Sequence, residues 1–282
     1  MSMRRLVAIS VLLFSGAARS ADFSSSHVVV VVEENHGFHA AYERGQMPFL
    51  RSLADKYGVA LNYFANAHPS MGNYFMMTTG QIVSTSDFFS GTVTDDNLIR
   101  QIVAAHKTWK AYAEDLPFVG HTGGNYNAFV KRHYPMAYFD DVRNNLTQRK
   151  NMVPFLQFAE DVKKHNLPNF SFVVPNLDHD AHDRSLSLAD TWLKNNIQLL
   201  LDDPDFQKDG ILIITFDEAE TGDKAHGGGH ILTVVVGPNV KEGGQSSTLY
   251  QHQSLLATIE DALGLPRLGA AKDTPSMSAL FK

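Results

Sequence analysis

The feature that most restricts this chain is the run His27-Val28-Val29-Val30-Val31-Val32-Glu33, a stretch of β-branched residues without polar alternation. A strand solvated on one face alternates apolar with polar residues, so an unbroken run reads as a strand buried on both faces, the signature of a parallel sheet. Parallel neighbours need long crossovers, usually helical, and those crossovers cover both faces. The rest of the chain supplies such a pattern. The segment Met47 to Lys56 has helical spacing and stops at Gly58, and Val59 to Phe64 suits a second strand, together one βαβ unit. Further helices are expected at Asp95 to Ala105, Val153 to His165, Ser187 to Leu201 and His252 to Leu263. Further strands are expected at Thr108 to Tyr112, Asn169 to Val174, Gly210 to Phe216 and Ile231 to Val236. The fold expected is therefore α/β, with a mostly parallel, doubly wound sheet.

A length of 282 residues fits one large domain, expected over 21–282. The polar, aromatic and weakly periodic stretch 120–148 reads as a cap or an excursion that borders a site. With 24 basic and 30 acidic residues the net charge is −6, which argues against an electrostatic grip on nucleic acid. There is no cysteine, which excludes disulfides, thiolate zinc sites, iron–sulfur ligation and a cysteine nucleophile. Any metal must be held by His, Asp, Glu or Asn. At the start, Arg4 and Arg5 precede the apolar run Leu6 to Phe14 and the small residues Ala17, Ala18 and Ser20, the layout of a secretory signal peptide over 1–20. Cleavage near Ser20/Ala21 makes the expected mature protein periplasmic or secreted, without an integral membrane segment, and more acidic still.

In doubly wound sheets ligands gather outside the carboxyl ends of the strands. After the first strand comes Glu33-Glu34-Asn35-His36, after the second His68-Pro69-Ser70-Met71-Gly72-Asn73-Tyr74, after the fourth Asn176 to Asp183, and after the fifth Asp217-Glu218. The group His226-Gly-Gly-Gly-His230 leads into the sixth. Singly, such residues suit caps and solvated loops: Asp217 and Glu218 suit the start of a helix, and Ser70 suits a helix N-cap. Together they place oxygen donors and imidazoles on one sheet edge, a donor set that fits zinc, manganese, magnesium or calcium. Beside a cation, the Ser70 hydroxyl would become a nucleophile, with a phosphoryl group favoured at the helix N-terminus. Asn73, one turn on, suits either a phosphoryl contact or a packing amide.

The succession VVVVVEENH, MPFL with LA, HPSMGNY, TWKAYAEDLP, KRHYP, VVPNLDHDAHD, ADTWL, ITFDE and VGP, from about His27 to Leu265, resembles the bacterial and fungal phosphoesterase family that contains acid phosphatases and phospholipases C, within the alkaline-phosphatase-like superfamily. The resemblance implies a three-layer α/β/α sandwich, a divalent metal at the carboxyl edge of the sheet and a phosphoserine intermediate. It implies that Ser70 is the nucleophile, that Glu34, Asn35, Asp217 and Glu218 sit at the metal, and that Asp180 and Asp183 contribute to it. It implies His182 and His230 at the leaving group or a second metal, and His68, Asn73 and Tyr74 in the phosphate pocket. Asp178 and Asp180 are alternatives for the metal-facing acid. Superfamily members with two zinc ions carry an Asp-His pair where this chain has Asp217-Glu218, so one cation is expected. His133 and His252 recur in the resemblance, but Lys131 and Arg132 suit a loop cover and His252 a first helical turn.

The function expected is an acid-phosphatase-like phosphomonoesterase acting on a small phosphate ester. A phospholipase C is the alternative, and a non-catalytic metal- or phosphate-binding protein is the alternative of another class. The excursion aromatics Tyr126, Phe129, Tyr134 and Tyr138 suit either contact with a lipid or the packing of a cap.

Overall fold

A computed structural model describes residues 23–282, so the signal-peptide segment lies outside the described residues. In chain order the elements are β1 Val28–Glu33, α1 Pro48–Lys56, β2 Gly58–Ala60, α2 Met71–Thr79, α3 Leu98–Ala104, β3 Trp109–Ala113, α4 Asp140–Arg143 and α5 Leu146–Arg149. There follow β4 Met152–Pro154, α6 Leu156–Lys163, β5 Phe170–Val174, α7 Leu186–Leu201, α8 Phe206–Asp209, β6 Ile211–Phe216, β7 Thr233–Val236, β8 Gly244–Ser246 and α9 His252–Leu263. They form one eight-stranded sheet in the order β4-β3-β5-β1-β6-β7-β2-β8, parallel except where β7 runs against β6 and β2. Among the helices, α1 packs on α7 and α7 on α6, while α2 packs on α9 and α3. These are the two helical layers of an α/β/α sandwich.

The valine run is the central strand: every residue of β1 is buried, as its unalternating sequence requires. Its register sets Val31 beside Val173 of β5 and Glu33 beside Phe216 of β6. The carboxyl ends of β5, β1 and β6 therefore lie side by side, and the loops that leave them share one edge of the sheet.

Two sequence expectations need correction. Val59 to Phe64 does not pair with β1: the strand is only Gly58–Ala60, and it crosses over β6 and β7 to lie between β7 and β8. The helix expected from Val153 begins only at Leu156, because Pro154 keeps Val153 extended and the short strand β4 forms instead. Elsewhere local signals act as expected. Helix α2 stops at Gly80 in the left-handed conformation (φ 70°), where a Cβ would lie 2.8 Å from the Leu268 carbonyl. In the excursion, Phe129, Tyr134 and Tyr138 are buried and Tyr126 is half-exposed, so three of the four aromatics pack the core.

Candidate active site

Glu34, the first residue beyond β1, is fully buried and organises the site. The Tyr74 hydroxyl donates to its Oε1 at 2.8 Å and the Ser70 hydroxyl to its Oε2 at 3.3 Å. His133 Nε2 lies 3.0 Å from Oε1, with its ring stacked on Tyr74 at 5.1 Å between centroids. The backbone ties the neighbouring loops together: Glu34 N–H donates to the Asp180 carbonyl (2.7 Å), and Asn35 N–H to Asp217 Oδ1 (3.3 Å). Asn35 has φ 55° and the buried Ala181 has φ 76°. A left-handed alanine is strained, and here it separates Asp180 from His182, turning the first inward.

Ser70 stands directly before α2, yet its backbone is helical and its side chain makes no capping bond. The cap role is therefore excluded, and the hydroxyl is committed to the acidic cluster. Its hydrogen bonding also draws down the carboxyls of Asp217 and Glu218, so it faces more than Glu34. No helix follows Asp217 and Glu218, which removes the helix-start role for that pair as well. Asp217 Oδ1 accepts from the Glu218 N–H (2.6 Å), whereas its Oδ2 is buried without a partner. Behind it, His252 Nε2 lies 2.6 Å from the Asp217 carbonyl, and since a carbonyl only accepts, Nε2 carries the proton. Burial lowers His252 to about 4, so this imidazole is a neutral structural donor.

Of the two alternatives in the Asp178 to Asp183 segment, Asp180 faces the cluster. It is 1% exposed, with Oδ1 on the His182 N–H (2.8 Å) and Oδ2 lacking a hydrogen bond 3.6 Å from His133 Nδ1. Asp178 instead pairs with Arg184 at 2.9 Å on the surface. The structure places Asp183 outside the cluster, where its exposed carboxylate meets His182 Nδ1 at 2.7 Å. The other ring nitrogen of His182 faces Arg132 Nη2 at 3.3 Å. His68 bridges Glu218 Oε2 (3.0 Å) and the Asp223 carbonyl (2.7 Å), and so positions Glu218.

Two residues fall elsewhere. The side chain of Asn73 accepts from the N–H groups of Asn66 and Ala67 (2.9 and 3.1 Å) and donates to the Ala67 carbonyl (2.8 Å), which leaves its amide committed to the preceding loop. Asn73→Ala should strip partners from three backbone groups and destabilise the fold by about 3 kcal/mol or more, taking roughly 1–3 kcal/mol for each unsatisfied group; urea denaturation checks this, and an unchanged midpoint would show the loop is held otherwise. His230 stacks on Phe38 (4.5 Å) and Phe64 (4.9 Å) and places Nε2 on the Leu61 carbonyl (3.0 Å). Those contacts bring it to the flank of the sheet edge, apart from Ser70's partners.

The electrostatics show what the cluster lacks. Burial, then neighbouring carboxylates, hold Glu34 well above its ordinary value, and burial does the same for Asp180. Burial raises Asp217 to about 6, and burial with the charge of Asp217 raises Glu218 to about 9. Arg132 offsets part of this at Asp180 and Glu218, but acids packed so closely cannot all ionise without a further positive charge. The open lone pairs of Asp217 Oδ2 and Asp180 Oδ2, with the Glu34 carboxylate and a His133 held neutral by burial, form a hard-oxygen and imidazole set that fits a divalent cation. The donor chemistry fits, but among the described residues the one group of three whose donor atoms converge on a single point lies elsewhere: His165 with Asp203 and Asp205, between the end of α6 and the start of α8, a group that includes none of these residues. Its Asp203 is already committed to the N–H groups of Asp205 and Phe206 (both 2.9 Å).

His133 and Arg132 are the functional residues that the sequence reading undervalued. The signal available was a histidine beside Tyr-Pro within a stretch already read as bordering a site; its basic neighbours made it look like surface.

This fold and edge define a class. The model of the Phosphoesterase family matches residues 39–266, and the chain belongs to that family, whose members are phosphate-ester hydrolases. It is 32% identical over 270 residues to a phosphatidylinositol-3-phosphatase of Mycobacterium tuberculosis, covering 94% of this chain and 86% of the relative. It is 32% identical over 230 residues to a phosphate-repressible acid phosphatase of Penicillium chrysogenum, covering 78% of this chain but 55% of that longer protein. In fold it is similar to an alkaline phosphatase superfamily protein of Vibrio parahaemolyticus, with a TM-score of 0.59 and 12% identity over 91% of this chain and 72% of the other.

Proposed function

We propose that this chain is an exported, metal-dependent phosphomonoesterase that acts through a phosphoserine at Ser70. The observation that carries the reading is the Ser70 hydroxyl, which forgoes the capping bond open to it and faces buried carboxylates at the start of α2. The printed names of the mycobacterial and fungal relatives support a phosphatase, and the leader-like 1–20 supports export.

Glu34, Asp217, Asp180 and His133 would hold the cation, with Glu218 beside them. When bound, the cation supplies positive charge that favours the serine alkoxide and offsets the phosphoryl oxygens. The chain does the rest. Glu34 accepts the hydrogen bond of Ser70 and orients it, and Tyr74, whose phenol burial keeps protonated, fixes Glu34 as a permanent donor. The N-terminal end of α2 presents its positive dipole to the phosphoryl group. Ser70 Oγ attacks phosphorus as its hydroxyl proton passes to Glu34 Oε2, the Oγ–P bond forms, and the bond to the leaving oxygen breaks; Glu34 returns that proton to Oγ when the Oγ–P bond is later split. His182, oriented by Asp183, gives that oxygen a proton and then takes one from the water that splits the Oγ–P bond.

Phe129, Tyr134 and Tyr138 are buried and pack the excursion onto the core, which supports a phosphomonoesterase over a phospholipase C. Hydrolysis of phenyl phosphate by the purified protein before and after chelation, with a phosphocholine ester alongside, tests the assignment. Chelator-sensitive turnover of the monoester is expected. Turnover of the phosphocholine ester alone would make the protein a phospholipase C, and silence on both with metal bound would make it a binding protein.

A further inference from the structure

A cleft of about 400 Å³ adjoins the nucleophile and has no part in the chemistry above. Asp87, Phe88, Phe89, Lys131, Arg132 and Tyr138 line it. Two contacts join it to the site: Asp87 Oδ1 accepts from the N–H of Met71, the residue after Ser70, at 3.2 Å, and Arg132 reaches His182 at 3.3 Å. Arg132 thus borders both the cleft and His182.

Its lining sets Lys131 and Arg132 and three aromatic rings beside one carboxylate, Asp87. The Lys131 ammonium sits 4.4 Å from the centroid of the Tyr138 ring and, among the described residues, has no carboxylate within ion-pair distance. The Arg132 Nε makes no hydrogen bond but is ion-paired with Asp87 Oδ2 at 3.6 Å, which leaves Lys131 as the uncompensated cation of the cleft. Phe89 packs against Tyr138 at 5.7 Å, and Phe88 stands 95% exposed at the rim. An ammonium held on a ring face is pre-positioned at little entropic cost.

We propose that this cleft is the leaving-group subsite, and that it selects phosphate esters whose alcohol portion carries a second negative charge on a flat or apolar skeleton, with Lys131 as the specificity-determining residue. The inference rests on the phosphomonoesterase reading, since it names the substrate class of that same site. The apolar skeleton would lie along Phe88 and Phe89 while the anion meets Lys131.

The test compares 4-carboxyphenyl phosphate with phenyl phosphate, which differ by one carboxylate, through the ratio of their kcat/KM values; intrinsic reactivity cancels when that ratio is compared between enzymes. In Lys131→Gln the ratio should fall about tenfold, through KM, as expected for a lost charge-assisted contact. Lys131→Arg should keep it within about threefold. The wild-type ratio should also fall as salt is raised, because the added attraction is screened, and this readout needs no variant. A ratio that stays unchanged in Lys131→Gln, or one that is insensitive to salt, overturns the subsite. If the wild type turns over phenyl phosphate while the ratio stays fixed, the subsite alone fails; if it turns over neither ester, the phosphatase reading fails first.

Discussion

Ser70→Ala lowers turnover of a phosphate monoester by on the order of 10³-fold or more while the protein remains folded, because a displacement that requires a covalent intermediate loses its attacking atom. The fold should tolerate the change. Ser70 does not cap α2, and Glu34 keeps its hydrogen bond from Tyr74 when the serine hydroxyl is gone. The stability cost should stay near ~1 kcal/mol, the scale of one hydrogen bond. Steady-state kinetics with thermal melting and metal content on the same sample separate the two effects. A variant with near-wild-type turnover and full metal content would mean that water attacks phosphorus directly.

Chelation should have an effect of similar size on activity, about 10²-fold or more, since a Lewis acid contributes several kcal/mol to such transition states. It should also change how stability depends on pH. Burial places Asp217 at about 6 and Glu218 at about 9, against 3.8 and 4.5 for the free groups. A carboxyl raised on folding contributes stability that is fully present below its unfolded value and is lost as pH rises through the folded one. The cation-free protein should therefore lose stability from about pH 4 to pH 9, as acids must ionise beside one another. A bound divalent ion reverses that penalty and releases the protons, so its stabilisation should grow with pH over the same window. Melting temperatures at pH 5, 7 and 9, with chelator and with each of zinc, manganese, magnesium and calcium, would show this. A cation-independent melting temperature, or a gap that does not widen with pH, would show that these carboxylates are not the ligands.

The parts of this protein that could be read in advance are those set by local chemistry. The valine run had to be a central strand, and α9 follows its expected span His252 to Leu263 because Gly264 ends it in the left-handed conformation. The ends of β1, β5 and β6 come together by the rule of parallel sheets, which is why Glu34, Asp180 and Asp217 could be expected at one site. What was hidden depends on the tertiary path. Strand β2 joins β7 and β8 rather than β1, a choice among sheet positions that a three-residue strand does not encode. His133 enters the site from the excursion as the last residue of one short helical turn, Lys131–His133, just before a second, Pro135–Ala137. Asn73 and His230 have the right chemistry near the right edge, but the tertiary path engages their polar atoms with Ala67 and Leu61.

The central claim is that phosphorus passes through Ser70, and a rapid acid quench of the wild-type protein with phenyl phosphate, followed by peptide mass spectrometry, addresses it most directly. The account predicts one phosphoryl group on the peptide that contains Ser70, formed within the first turnover and lost when substrate is exhausted. A first turnover that releases phosphate with the Ser70 peptide unmodified, or a phosphoryl group carried by another residue, would contradict it.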